Sequence, residues 1–260
     1  MSVAILSDIH MRDGHVDDVS AELEAVIDVL DHVHDPTHAF VLGDLIEDCG
    51  SRDADRRNVG RVAAILDEWS VPVTYLLGNH DVEHLDRETL GSVLDQDAFH
   101  GTRRVEGVEF VYLDSSYQRV RGATGRVGPE QLDWLDRRLP SLSNAVVLVH
   151  HPIGNFDLSA NEWFREYPER AYLWDRKEVL ERLDRVEGVH GTISGHIHQT
   201  GYDEFWGLSH VSVNAFSKEL PDVPLTGTYA VVDTGQPIDI DIRTRSDRGV
   251  SHSLSTAVDD

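Results

Sequence analysis

The chain predicts an α/β fold on two observations. Four apolar runs (residues 3–6, 39–42, 73–77 and 146–149) each lead directly into a polar motif, and segments of helical periodicity lie between them. The first run, Val3-Ala4-Ile5-Leu6, reads as a strand ending at Asp8-Ile9-His10. Val16, Val19, Leu23, Val26, Ile27 and Leu30 then repeat at helical spacing across 16–34. Ala39-Phe40-Val41-Leu42 is a second strand, ending at Gly43-Asp44. Val59, Val62, Ala63, Leu66 and Trp69 mark a second helix, stopped by Pro72. A third strand at 73–77 runs into Gly78-Asn79-His80-Asp81. The stretch from Val105 to Leu113 alternates like a half-buried strand with a turn at Gly107. Gly128-Pro129-Glu130 opens a helix with proline in its first turn and Leu132, Leu135 and Leu139 inward. A strand at 146–149 ends at His150-His151-Pro152, and Val179, Leu180, Leu183 and Val186 give a further helix. The weaker run from Val189 to Ile193 precedes Gly195-His196-Ile197-His198. Phe205 to Val213 and Tyr229 to Ile242 read as a strand-rich finish, with Gly207, Gly227 and Gly235 at turns. With no linker, repeat or low-complexity tract, residues 1–244 form one domain and 245–260 a polar, frayed tail.

Composition sets the frame. A chain of 260 residues with a hydrophobic fraction of 40% can bury a large core. No apolar stretch approaches the ~20 residues of a membrane span, and no signal-like segment precedes Val3, so the expectation is a cytoplasmic protein that makes no membrane contact. The single cysteine, Cys49, excludes an internal disulfide and reads as a small buried apolar residue. The net charge is −24, with lysine only at Lys177 and Lys218. Such an acidic, lysine-poor surface resembles proteins from salt-in halophiles, where a screening length of about 3 Å at molar salt damps self-repulsion. Spread along the whole chain, this charge disfavours nucleic acid as a partner. No pattern specifies an oligomeric state.

The motifs carry the chemistry. Sites on open α/β sheets assemble at the carboxyl ends of strands. Asp8 and His10, two residues apart at a strand end, can reach one ion. Asp44 follows a glycine that permits close approach, and its two oxygens can bridge two ions. Asn79 offers an amide oxygen, and His150, His196 and His198 offer imidazole nitrogens. His151 is the alternative to His150, which stands first at the strand end. A nitrogen and oxygen set without thiolate suits manganese, iron, zinc, nickel or cobalt. Two such ions about 3.5–4 Å apart clamp the attacking and leaving oxygens of an in-line displacement, which is phosphate-ester hydrolysis.

In order and spacing, the motifs across residues 8 to 198 resemble those of the calcineurin-like metallophosphoesterase superfamily. The resemblance implies a four-layer αββα sandwich of two mixed β-sheets flanked by helices. It implies two divalent metal ions, manganese first among the candidates. Asp8, His10, Asp44 and His198 would surround one ion, and Asp44, Asn79, His150 and His196 the other. It implies that His80 stands beside the leaving group as general acid or charge stabiliser, and that Asp81 is its orienting carboxylate.

Gly43-Asp44-Leu45-Ile46-Glu47-Asp48-Cys49-Gly50 lacks the arginine of the protein serine/threonine phosphatase branch. The stretch 121–135, and Tyr202 soon after the last histidines, are similar to compact class III cyclic-nucleotide phosphodiesterases and manganese-dependent ADP-ribose/CDP-alcohol diphosphatases. The expected activity is therefore attack of a metal-activated hydroxide on a phosphodiester or pyrophosphate bond of a small nucleotide-like substrate. A nuclease or phosphomonoesterase on the same site is the alternative, and a metal-free scaffold the rival from another class.

Substrate-facing candidates are His151, Arg121 and Arg126, and Arg165. Arg165 and Arg170 fall among Phe156, Trp163, Phe164, Tyr167, Tyr172 and Trp174, a segment that is either a lid or a cover for the sheet. Arg121 and Arg126, with Arg119, read first as a solvated loop and second as a phosphate-facing group. Asp48 suits a role behind the site or a turn cap. His32, His34 and His38 read as surface residues, and His84 as an exposed helix start or a cleft residue.

Overall fold

The computed structural model describes residues 1–117, 123–217, 225–245 and 249–254. β1 (Ser2–Leu6), β2 (Pro36–Val41) and β3 (Val73–Tyr75) are the first three predicted strands. Parallel neighbours need a crossover, and α1 (Val16–Val29) and α2 (Arg52–Asp67) provide it. On the other edge of β1 the chain returns antiparallel as β10 (Thr228–Asp233), β11 (Ile238–Thr244) and β12 (Val250–Leu254). The first sheet thus runs β12-β11-β10-β1-β2-β3. The second runs β4 (Gly101–Val105), β5 (Val108–Leu113), β6 (Ala145–Val149), β7 (Val189–Ser194), β9 (Leu208–Ser212), β8 (Gly201–Phe205). Its centre, β5-β6-β7-β9, is parallel, and both edge pairs are antiparallel.

Side-chain alternation makes the layers. Val3 and Ile5 of β1, Phe40 of β2, Val146 and Leu148 of β6 and Ile193 of β7 share one core between the two sheets. The residues between them face outward. Ala4, Leu6, Ala39 and Val41 pack under α1, α2 and α3 (Arg87–Leu94), while Ala145, Val147 and Val149 pack under α4 (Pro129–Arg138) and α5 (Arg176–Leu183). With helices on both outer surfaces, a central strand has no solvated face and reads as a continuous apolar run. This is the four-layer αββα sandwich. Phe40 and Phe110 join the sheets, with ring centroids 5.1 Å apart.

Several expectations are corrected. The polar segment read as a tail contains β12, whose Leu254 is buried and paired with Ile238; one apolar residue in a polar strand leaves little periodic signal. The turn expected at Gly107 is present: Glu106-Gly107 joins β4 and β5 as a hairpin, so Val105 closes one strand and Val108–Leu113 is the next. α3 escaped the periodicity argument because it is only 8 residues long, although Asp86 caps it by accepting from the Thr89 N–H at 2.8 Å. His38 is buried, paired with Thr74 Oγ1 at 2.9 Å, and burial lowers it to about 4. Cys49 is exposed, not buried. No described helix is long and apolar enough to cross a membrane.

Candidate metal centre

The strand ends converge because their backbones turn out of the sheets along one edge. Asp8 N–H donates to Gly43 O at 3.0 Å and His10 N–H to Asp44 O at 3.0 Å, while Gly195 N–H donates to His150 O at 3.1 Å. Of the nine non-glycine residues with positive φ among the described residues, five are Asp8, His10, Asp44, His196 and His198. Left-handed backbone costs a non-glycine residue free energy and concentrates at functional sites. Glycines make the approach possible. A Cβ on Gly43 would stand 2.5 Å from Gly78 N, one on Gly78 would meet the Asp44 carboxylate, and one on Gly195 would meet Ser7 and Asp8. The close approach that the glycine ahead of Asp44 permits is thus that of the loop carrying Gly78.

Seven predicted ligands come together. Asp8 Oδ1 lies 3.3 Å from His198 Nε2 and 3.8 Å from His10 Nε2, and the two imidazole nitrogens are 3.0 Å apart. Asp44 Oδ2 lies 4.0 Å from His10 Nε2 on one side and 3.3 Å from His150 Nε2 on the other. Asn79 Oδ1 is 3.4 Å from His150 Nε2, and the His150 and His196 rings lie 5.0 Å apart. Gaps of this size match the edges of a polyhedron whose metal bonds are ~2.0–2.2 Å. The donors are oxygen and nitrogen only, so hard or borderline divalent cations fit them. Three of the histidines present a defined atom. Nδ1 of His150 faces Leu42 O at 3.0 Å and Nδ1 of His10 faces Glu47 Oε2 at 3.0 Å, which turns both Nε2 atoms to the cluster. Nε2 of His196 faces Arg170 O at 3.3 Å, leaving Nδ1.

The electrostatics suit a cation. Burial opposes charge on His10, yet the Glu47 hydrogen bond and the Asp44 and Asp8 carboxylates raise it to about 9. Burial likewise opposes charge on His150, which Asp44 and then Asp8 lift to about 9. Asp8 and Asp44 are both held below the usual carboxylate range against their burial, Asp8 chiefly by His198 and Asp44 chiefly by His150. His196 is lowered to about 3 by burial and by His150.

His151 uses both ring nitrogens within the protein. Ala123 O, a pure acceptor 2.9 Å from Nε2, fixes the proton there, and Nδ1 then accepts from Ser115 Oγ at 2.7 Å. No lone pair is left for a cation or a substrate, so His151 braces the rings of His150 and His196, 4.8 and 4.3 Å away. The orienting role expected of Asp81 is corrected. Its carboxylate accepts from the N–H groups of Leu45, Ile46 and Gly78 at 2.9, 3.3 and 2.8 Å, fixing the two loops that carry Asp44 and Asn79. Burial and then Asp44 raise Asp81 to about 7. The carboxylate on His80 belongs to Asp48, 2.9 Å from Nδ1, with Glu47 at 3.5 Å. Burial works against the His80 imidazolium, but Asp44, Glu47 and Asp48 bring it above its ordinary value.

A cavity of about 290 Å³ opens over the cluster, lined by His80, Trp163, Phe164, Tyr167 and Arg170 beside the candidate ligands. Arg165 is exposed and is not among its lining residues; Arg170, stacked on Tyr167 at 4.4 Å, is the arginine there. Arg126 is turned to Asp175 at 3.8 Å, and Arg119 and Arg121 lie outside the described residues. His84 pairs with buried Asp55 at 2.8 Å and does not line the cavity. Phe156 and Phe164 are buried and Trp163 and Tyr167 exposed, so segment 156–174 both covers and walls the site. Glu47, Ser115 and Asn161 were missed; only Glu47, three residues after Asp44, left any trace in the motif.

A two-sheet sandwich with imidazoles and carboxylates gathered at its strand ends has the donor set of a metal-dependent hydrolase, and the family to which the chain belongs makes that a phosphoester hydrolase. Residues 1–200 match the calcineurin-like phosphoesterase family, and the chain belongs to it. A probable cyclic nucleotide phosphodiesterase from Synechococcus sp. is 30% identical over 197 residues, covering 72% of this chain and 69% of that protein. A manganese-dependent ADP-ribose/CDP-alcohol diphosphatase from Arabidopsis thaliana is 23% identical over 241 residues, 74% of each chain. In fold, the chain is similar to a dimetal phosphatase from Danio rerio, with a TM-score of 0.77 over 99% of each chain at 17% identity.

Proposed function

We propose that the protein hydrolyses a phosphodiester or pyrophosphate bond in a small nucleotide-like substrate. Asp8, His10, Asp44 and His198 would hold one divalent cation, and Asp44, Asn79, His150 and His196 a second, with manganese the first candidate. One observation carries this reading: Asp44 Oδ2 stands between His10 Nε2 and His150 Nε2, directly beneath a cavity of aromatic side chains and an arginine. When bound, such cations offset phosphate charge and lower the pKa of a nearby water. The protein's own groups complete the chemistry. His80, with Nδ1 on Asp48, has Nε2 left to protonate the ester oxygen as its bond to phosphorus breaks. Arg170 offers charge to phosphate oxygens, and Trp163 and Tyr167 offer flat apolar faces to a base. The nucleotide substrates in the names of the cyanobacterial and plant relatives support the same substrate class.

The test is hydrolysis of bis-p-nitrophenyl phosphate against p-nitrophenyl phosphate, after loading with manganese and after chelation. Metal-dependent preference for the diester is expected. A preference for the monoester would replace this reading with a phosphomonoesterase, and no hydrolysis of either by the metal-loaded protein would refute it for simple esters.

A further inference from the structure

A second cavity, of about 280 Å³, shares Trp163 and His198 with the first and is otherwise lined by Ala160, Asn161, Glu162, Gln199, Thr200 and Asn214. The wall between the two is built in. Asn161 is buried and uses its whole amide: Nδ2 donates to Ile197 O at 2.8 Å and Gln199 Oε1 at 3.1 Å, while Oδ1 accepts from the Trp163 and Phe164 N–H groups at 3.0 and 2.9 Å. The indole is thereby fixed relative to the loop that carries His196 and His198, and the Trp163 and His198 rings lie 5.7 Å apart. Gln199 is committed as well, donating to Asp157 O at 3.1 Å. Asn214 Oδ1 accepts from the Ala215 N–H at 3.0 Å. The polar side-chain groups left to face a ligand include the Thr200 hydroxyl, Asn214 Nδ2 and the Glu162 carboxylate, the last an acceptor for a hydroxyl.

Charge separates the cavities. The first contains Arg170; the second has no arginine or lysine among its lining residues and is lined in part by the Glu162 carboxylate. An anionic group is repelled there, whereas hydroxyls can exchange hydrogen bonds with a threonine and an amide. A phosphomonoester has one organic arm, and a diester or pyrophosphate has two. We propose that the second cavity is the subsite for an uncharged, hydroxylated arm of a two-armed phosphoester, the flat arm lying against Trp163 and Tyr167 in the first. The proposal rests on the phosphodiesterase reading and deepens it.

The experiment compares kcat/KM of the manganese-loaded full chain for glyceryl p-nitrophenyl phosphate and methyl p-nitrophenyl phosphate, which share a leaving group and differ only in the second arm. The wild type should prefer the glyceryl ester by about tenfold, the scale of one or two neutral hydrogen bonds. Asn214→Leu and Thr200→Val should each bring that ratio toward one. A wild-type ratio near one, or a ratio unmoved by both substitutions, overturns the subsite while leaving the phosphodiesterase reading standing. If neither diester is cleaved by the metal-loaded protein, the phosphodiesterase reading fails and takes the subsite with it. The wild-type ratio decides without any variant having to fold.

Discussion

Replacing His80 with alanine separates the chemistry from the metal centre. The link between this loop and the centre is the His80 backbone N–H, which donates to Asp44 Oδ1 at 2.9 Å and survives the substitution. The side chain itself contacts the partly exposed Asp48 and Glu47 carboxylates at 2.9 and 3.5 Å and meets the His10 ring edge-on at 5.2 Å, so its loss should cost the fold about 1 kcal/mol. The lost proton donor should lower kcat by ~10²–10⁴ for an alkyl phosphodiester, whose leaving oxygen needs the proton. A p-nitrophenyl diester, whose leaving group is a good anion unaided, should suffer far less. The assay is turnover of both diesters by wild type and variant, with bound metal measured alongside. Full alkyl-diester activity in the variant, or loss of metal in step with activity, would refute the reasoning. Asp48→Asn supplies the pH arm. The Asp48 charge supports the protonated ring, so its removal lowers the His80 pKa, and activity that needs the protonated form should fade at lower pH. An alkaline limb that does not move would remove Asp48 from this role.

Four further outcomes are expected. In the metal-free protein His10 and His150 hold protons up to about 9, so metal uptake near neutral pH should release protons and the apparent affinity should rise with pH toward 9; calorimetry in buffers of different ionisation enthalpy would show a proton count of zero if this is wrong. Both pKa values lie above the ordinary 6.5, so their stabilisation of the metal-free fold is complete below about 6.5 and disappears as pH rises through about 9. Metal-free melting temperature should fall across that window, and a flat profile would contradict the assignment. Asp81→Ala would strand three buried N–H groups and should cost roughly 2–5 kcal/mol, read as a lower denaturant midpoint; an unchanged midpoint would sink the bracing role. At a net charge of −24, raising salt from about 0.1 M to about 2 M should raise the melting temperature as the screening length drops to a few ångströms, and a fall would argue against a surface adapted to salt.

The fold was legible where burial on both faces left uninterrupted apolar runs, as in Val3-Ala4-Ile5-Leu6 and Val146-Val147-Leu148-Val149. It was obscure where one apolar residue suffices, as in β12, or where a helix is too short to show a period, as in α3. The candidate ligands were legible because each follows a strand end with a glycine or a second polar residue beside it. The groups behind them were not. A carboxylate next to a histidine in sequence, Asp81, turned to the backbone, while Asp48, 32 residues away, took the ring. Asn161 makes four hydrogen bonds that tie the cavity wall to a loop 36 residues on, and nothing in its neighbours along the chain announces them. Arg170 and Arg165 were equivalent in sequence, and only the path of the segment between Phe164 and Ala171 chose between them.

The central claim is a two-ion centre joined through Asp44, and metal content tests it most directly. Manganese per chain would be measured by mass spectrometry on wild type and Asp44→Ala after dialysis against excess ion. Two ions in the wild type, and loss of both together with activity in the variant, is the predicted result. A wild type that binds one ion, or a variant that keeps its full complement and still cleaves a phosphodiester, would contradict the account.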